Sequence, residues 1–192
     1  MRPEEVIAIF KQTGVLMEGH FLLTSGKHSP QFLQCSQALQ FPEVGGQLGR
    51  GVADLFAGDQ VETVIGPAMG GVILAYEIAR ALGARAIYAE KAEGGGFTLR
   101  RGFTLRPGER VLAVEDALTT GGSVRQVLEL VGRLGATPVG VGALIDRSGG
   151  QVDLGVPLRA LVNLKIEAYD PGDCPLCRAG LAITRPKGAP TV

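Results

Sequence analysis

One stretch limits the folds open to this 192-residue chain more than any other: Val111-Leu112-Ala113-Val114-Glu115-Asp116-Ala117-Leu118-Thr119-Thr120-Gly121-Gly122-Ser123-Val124. Four apolar residues predict a buried parallel strand, two carboxylates follow at its carboxyl end, and Val124 to Leu134 carries helical apolar spacing. In an open α/β sheet, ligands bind beyond strand carboxyl ends, where a helix N-terminus offers unpaired N–H groups. The small residues at 119–123 let the backbone close around a phosphate, and their hydroxyls add donors. Glu115 and Asp116 match a phosphate poorly. They suit neighbouring hydroxyls, such as those of a ribose, or a developing cation. The plain alternative is a strand–turn–helix unit with an acidic turn and no ligand.

An apolar strand, two acids, then threonines and glycines: this series resembles the phosphoribosyl-pyrophosphate signature of the type I phosphoribosyltransferases. The resemblance implies an α/β fold, with a mainly parallel sheet flanked by helices and a small N-terminal hood subdomain. It also implies that Thr120, Gly121, Gly122 and Ser123 anchor a 5′-phosphate, that Thr119 helps to hold the base, and that Glu115 and Asp116 act catalytically. Phe21-Leu22-Leu23-Thr24-Ser25-Gly26-Lys27-His28-Ser29-Pro30 narrows the likeness. It is similar to the amino-terminal segment of orotate phosphoribosyltransferases, where a Ser-Gly-Lys turn and a following aromatic help cover the base site. Lys27 then contacts the orotate or pyrophosphate region and Phe32 stacks near the pyrimidine ring, as the resemblance implies. A lysine is a sensible partner for the carboxylate of orotate; read alone, Lys27 is an ordinary turn lysine.

Pro3 to Phe10 predicts an amphipathic helix closed by Gly14, and Val15 to Thr24 with Gln31 to Gln34 predicts a hairpin around a polar turn. A second helix is expected from Pro42 to Leu55 or Phe56. Glu62 to Ile65 reads as a strand leading to Gly66-Pro67-Ala68-Met69-Gly70-Gly71, with a helix from Val72 to about Leu82. This loop resembles the family's pyrophosphate loop. Many orotate enzymes carry a lysine where this chain has Met69, so binding would rest on main-chain donors of Met69, Gly70 and Gly71. Ala86 to Ala89 predicts a strand, and Glu90 to Gly96 follows it with three successive glycines, as a mobile flap would. Its position matches the family's catalytic loop, which implies a catalytic role for Lys91. No second lysine and no histidine follow. Arg100 and Arg101 either replace that charge or are solvated strand residues. Pro138 to Ile145 is a further strand ending in Asp146-Arg147. The resemblance makes Arg147 the grip on the orotate carboxylate, with Asp146 orienting it; a planar guanidinium suits a carboxylate through two parallel N–H bonds. Leu158 to Ile166 is the last strand. Cys174 and Cys177 are then compatible with free thiols, a local disulfide, or half of a zinc site completed from Cys35, His20 and His28.

The length suits one sizeable core. We divide it into a hood (1–40), a phosphoribosyltransferase core (41–170), and a tail (171–192) packing near the hood and expected to fray after Pro186. Formal net charge is zero, so neither a nucleic-acid surface nor an acidic tail is expected. No apolar run approaches membrane-spanning length and no signal peptide is visible, so a cytoplasmic enzyme without membrane contact is expected. The resemblance implies the reaction of orotate with phosphoribosyl pyrophosphate to give orotidine 5′-monophosphate and pyrophosphate. It implies Mg2+ held mainly through the diphosphate and ribose hydroxyls, with no protein metal ligands. It also implies a homodimer with shared active sites. Two alternatives use the same phosphoribosyl motifs: a purine phosphoribosyltransferase, with no need of Lys27 and Arg147 as a carboxylate clamp, and a regulator that binds phosphoribosyl pyrophosphate without turnover.

Overall fold

Val111, Leu112, Ala113 and Val114 point alternately into two apolar layers, and this alternation sets the plane of the sheet. In the computed structural model, which describes residues 1–23 and 25–185, the first elements are α1 (Pro3–Gln12), β1 (Leu16–Leu22), β2 (His28–Leu33), α2 (Ser36–Leu39) and α3 (Pro42–Leu55). Then come β3 (Thr63–Pro67), α4 (Gly70–Leu82), β4 (Arg85–Lys91), β5 (Phe97–Thr98), β6 (Arg110–Leu118), α5 (Gly122–Arg133), β7 (Thr137–Asp146) and β8 (Leu158–Asn163). A 3-10 turn (Pro171–Asp173) and α6 (Pro175–Arg178) close the described chain. Thr24 and the end from Pro186, including the expected fraying, lie outside the described residues.

Six strands form one sheet in the order β5-β4-β3-β6-β7-β8, parallel except for β5. Leu112 and Val114 face α1, α3 and α4, where they meet Val6, Phe10, Leu48, Val52, Leu74 and Ile78. Val111 and Ala113 face α5, against Val124, Val127 and Val131. Both faces are therefore covered, as a parallel sheet requires. The antiparallel pair β1–β2 is a separate two-stranded sheet. The tail lies along it: the Thr184 amide donates to the His20 carbonyl at 2.8 Å, and Leu22 donates to the Thr184 carbonyl at 3.1 Å. No helix among the described residues is long and apolar enough to cross a membrane.

Several boundaries differ from expectation. β6 does not stop before Glu115 but runs to Leu118, because its partner β7 continues beside it as far as the pair Leu118–Asp146. β3 continues past Ile65 to Pro67 by pairing with β4. α4 and α5 each begin two residues early, at Gly70 and Gly122, since their first turns lie outside the apolar repeat. β2 begins at His28, within the expected polar turn, because Leu22 pairs with it on one side and Tyr169 on the other, the latter through two 2.8 Å bonds. α2 is too short to show any period, and β8 ends at Asn163.

At the amino ends of β3, β4 and β6, the buried Glu109 carboxylate accepts from the Thr63 hydroxyl, the Arg85 guanidinium at 2.8 Å and the Arg106 amide at 2.8 Å. Burial alone would raise its pKa; these donors and the Arg85 charge outweigh that and hold it at about 2.

α3 carries glycines that weaken a helix but let it approach α4 closely. A β-carbon at Gly49 would lie 2.6 Å from Glu77 Cβ and 2.9 Å from its carbonyl carbon, atoms that cannot step aside. At Gly46 it would meet the ends of two side chains, the exposed Arg80 guanidinium at 2.7 Å and the Glu77 carboxylate at 3.5 Å. Gly49→Ala should therefore destabilise by about 1–3 kcal/mol despite its better helix propensity. Gly46→Ala should be neutral or stabilise by up to about 1 kcal/mol. Urea unfolding of both variants checks the contrast; equal effects would mean that the helix spacing is not set at Gly49.

Candidate active site

Parallel pairing of β3 with β6 ends at Ile65–Ala113, while β6 stays paired with β7 to its end. Past Ala113, one edge of β6 is therefore open. The chain leaves β3 outward to β4 and leaves β6 in the opposite direction to β7, so this opening is the sheet's topological switch point, where open α/β sheets bind ligands. Two glycines make β3 turn away. A β-carbon on Gly66 would lie 2.3 Å from the Gly71 carbonyl oxygen, and one on Gly71 would lie 2.8 Å from Pro67 Cδ. The loop between them carries a cis Ala68–Met69 peptide and leaves Met69 83% exposed. At the first turn of α4, the amides of Gly70 and Gly71 have no helical acceptor.

Glu115 and Asp116 lie within the strand and point to opposite faces. Asp116 is on the α4 side: Oδ1 accepts the Ala117 amide at 2.8 Å, and a β-carbon on Gly70 would come within 3.4 Å of Oδ2. Glu115 is on the α5 side, within reach of the Ser123 hydroxyl. Burial and the Asp116 charge push Glu115 up to about 7, against the Ser123 hydrogen bond, which favours the charged form. Burial raises Asp116 as well, opposed by the Ala117 amide. Thr119, Thr120, Gly122 and Ser123 are exposed around the start of α5. Gly121 precedes the helix at φ 73°, where a β-carbon would also sit 2.9 Å from Val152. The two carboxylates thus flank the opening from opposite faces of β6, each beside a helix N-terminus.

Arg147 follows β7 and is tied to β6 by its amide, which donates to the Leu118 carbonyl at 2.8 Å. Its guanidinium Nε is buried and has no hydrogen-bond partner. Desolvation lowers its pKa. Asp146 does not orient it as expected. No Asp146–Arg147 ion pair occurs among the described residues, and Asp146 Oδ1 instead accepts the Ser148 amide at 2.7 Å, shaping the turn. Cys35, expected only as a possible zinc ligand, lies elsewhere, with its sulfur 3.8 Å from the Asp116 carbonyl. Burial, then the Asp116 charge, raises its pKa, with the Arg147 charge acting the other way. Sequence patterning gave no signal for that contact.

Lys91 is exposed at the end of β4, paired with Phe97 of β5. The glycines after it close a tight turn, with Gly95 donating to the Ala92 carbonyl and Ala92 to the Gly96 carbonyl, both at 3.1 Å. Arg101 is engaged by Glu90 at 2.8 Å, which leaves the exposed Arg100 without an ion pair among the described residues. Phe32 packs on Phe21 across the hairpin with ring centroids 5.9 Å apart, and Lys27 pairs with Asp170 at 3.4 Å. No hydrogen bond or ion pair joins either to Arg147 or Glu115 among the described residues. The structure therefore brings Glu115, Asp116, Met69 to Gly71 and Thr119 to Ser123 around one crevice with Arg147 beside it, while Lys27 and Phe32 stay on the hairpin and Lys91 at the carboxyl end of β4.

Residues 47–156 match the model of the phosphoribosyl transferase domain family. The chain is 53% identical over 186 residues to an orotate phosphoribosyltransferase of Pelotomaculum thermopropionicum, covering 97% of each chain. It is 54% identical over 178 residues to one of Thermotoga maritima, covering 93% of this chain and 95% of the other. A solved orotate phosphoribosyltransferase of Aeropyrum pernix superposes with a TM-score of 0.72 at 26% identity, over 83% of this chain and 94% of that one. An adenine phosphoribosyltransferase of Rhodothermus marinus shares the fold, with a TM-score of 0.64 at 22% identity over 84% of this chain and 99% of that one.

The raised Glu115 pKa has a definite effect on stability. Its folded value of about 7 exceeds the ordinary 4.5, so the folded state binds more protons between these limits and stability falls as pH rises through them. Glu115→Gln should be close to wild type at pH 4 and more stable by about 1–3 kcal/mol at pH 8. Denaturant unfolding at the two pH values measures this; a pH-independent difference would contradict the burial penalty.

Proposed function

The chain belongs to the orotate phosphoribosyltransferase family, and we propose from that premise how its crevice performs the family's reaction. The enzyme joins orotate to the phosphoribosyl group of phosphoribosyl pyrophosphate, giving orotidine 5′-monophosphate and pyrophosphate in pyrimidine nucleotide synthesis. One observation carries the assignment of the base site: Arg147, beside the signature strand, holds a buried Nε that no protein group satisfies. A buried unpaired donor is unfavourable unless a ligand completes it, and a planar carboxylate matches a guanidinium through paired N–H bonds. Orotate offers that group; adenine and hypoxanthine do not.

In this reading, Thr120, Gly121, Gly122, Ser123 and the first amides of α5 hold the 5′-phosphate, with Thr119 next to the base. The amides of Met69, Gly70 and Gly71 hold the diphosphate, and because Met69 is uncharged the main chain carries that contact. As the bond from the anomeric carbon to the pyrophosphate stretches, positive charge grows on the ribose. Glu115 and Asp116, in their charged forms, stabilise it while a ring nitrogen of orotate attacks from the opposite face. Lys27 and Phe32 close over the base from the hairpin. Mg2+ would be held mainly through the diphosphate and the ribose hydroxyls, with Glu115 and Asp116 facing those hydroxyls, and would supply positive charge against the departing diphosphate. We place the enzyme in the cytoplasm, a reading supported by three unbridged cysteines.

Steady-state assay with orotate, uracil, hypoxanthine and adenine should give turnover with orotate alone. Arg147→Ala should raise the KM for orotate far more than that for phosphoribosyl pyrophosphate, with a loss of about 2–4 kcal/mol of transition-state stabilisation. Unchanged orotate kinetics in a folded variant would remove Arg147 from the base site.

We also propose a homodimer in which Lys91 serves the neighbouring subunit's crevice. Its exposure at the end of β4, beside a glycine turn, supports this. Lys91→Ala and Arg147→Ala homodimers should each be nearly inactive. After random reassortment about half the dimers are mixed and each has one whole site, so roughly a quarter of wild-type activity should return. No recovery after verified subunit exchange would show that Lys91 acts within its own chain.

A further inference from the structure

Four side chains that the proposed reaction does not use converge between the β1–β2 hairpin and the tail: His20, His28, Cys174 and Cys177. The first three are almost wholly buried, with exposures of 3%, 5% and 1%. Their four ligand atoms all lie within 4.8 Å of one another. His20 Nε2 is 3.1 Å from His28 Nδ1, 3.5 Å from Cys174 Sγ and 3.8 Å from Cys177 Sγ, and Cys177 Sγ is 3.2 Å from His28 Nδ1. Zinc bonds of about 2.0–2.1 Å to nitrogen and 2.3 Å to sulfur put tetrahedral neighbours about 3.3–3.8 Å apart, close to these separations.

No single hydrogen-bonding pattern satisfies all of these contacts at once. His20 Nδ1 lies 2.8 Å from the Leu181 carbonyl, an acceptor only, so Nδ1 carries the proton and Nε2 is left with a single lone pair directed into the cluster. Three potential donors crowd that one lone pair. A cation at their common centre resolves the crowding, since every lone pair then points at it. The Leu181 contact is the kind that fixes the tautomer of a metal-binding histidine. Two thiolates and two neutral imidazoles also balance the charge of a divalent ion, which favours burial. Soft sulfur with imidazole in a tetrahedral set selects zinc.

The tail supplies a second, independent reason. The 3-10 turn and α6 bury none of their own residues, and beyond them Leu181 and Ile183 are 52% and 47% exposed. So little apolar burial does not hold such a segment in one place. Yet it is laced to the hairpin at both ends, through Tyr169 to His28 and Thr184 to His20. We propose that His20, His28, Cys174 and Cys177 bind one structural zinc ion that fastens the tail to the β1–β2 hairpin. Cys35, buried at Asp116, takes no part. The ion would also set the turn that carries Lys27, whose neighbour is His28 and whose ion-pair partner, Asp170, adjoins Tyr169.

Elemental analysis of the untagged full-length chain, purified without chelator, tests this. One zinc per chain is expected. Cys177→Ser should reduce zinc below a tenth of an equivalent, while Cys35→Ser keeps it. Cys177 is exposed, so its variant should still fold. Cobalt reconstitution of chelator-treated protein should give visible bands of a tetrahedral thiolate site, lost in Cys177→Ser. Zinc removal should open the tail to limited proteolysis after Asn163 while leaving the sheet protected. Less than a tenth of an equivalent after zinc supplementation, full occupancy in Cys177→Ser, or a Cys174–Cys177 disulfide in the purified protein would each overturn the proposal.

Discussion

The architecture of the crevice depends on one close approach of backbone to backbone, that of Gly66 to the Gly71 carbonyl. No side chain fits between them, so β3 turns away from β6 after Ile65 and the chain enters α4 at once. That departure frees the edge of β6 where Glu115 and Asp116 stand. It also brings the N-terminus of α4 to one side of the opening while α5 flanks the other. Strand alternation does the rest, sending Asp116 towards the first helix and Glu115 towards the second. A β-carbon at either glycine would press on the peptide backbone of the loop and narrow the opening at its root.

The crevice disfavours the charged forms of its own groups. Glu115 is held in the range where its proton is half lost, Asp116 is raised in the same sense, and the Arg147 guanidinium is disfavoured by desolvation with one buried nitrogen unpaired. Opposite charges kept apart in this way do not stabilise the folded chain; they stabilise whatever completes them. The apolar layers on the two faces of the sheet supply the compensating stability, and they do so below the level of the crevice.

Much of this was legible in the sequence where a residue pattern coincides with a single element. The run 111–114 alternates between two cores, and Arg147 directly follows a strand, so both could be placed from local order. What escaped depends on pairing between distant segments. β6 extends past the carboxylates only because β7 does, β5 is two residues long, and Cys35 reaches Asp116 across tertiary packing. His20, named from the sequence only as one of three residues that could complete a zinc site, shows why its place could not be read. A bulge between Glu18 and Phe21 breaks the alternation of β1 and buries His20 and Phe21 in succession, so a period-two pattern misplaces the histidine. The register that pairs Leu22 with His28 then brings the two imidazoles together, a meeting invisible until the hairpin is closed.

The buried Glu109 cluster gives the molecule a division of labour in acid. Glu109 precedes β6 and stays charged down to about pH 2, so its contribution to folding is fully present above its ordinary value of 4.5 and fades only as the pH falls towards 2. Glu115, near the other end of the same strand, gains its proton close to neutrality. Acidification therefore reaches the chemistry long before it reaches the scaffold. Falling pH thus first protonates the carboxylate at the crevice end of β6, and only several units lower the one that ties β3, β4 and β6 together at its root.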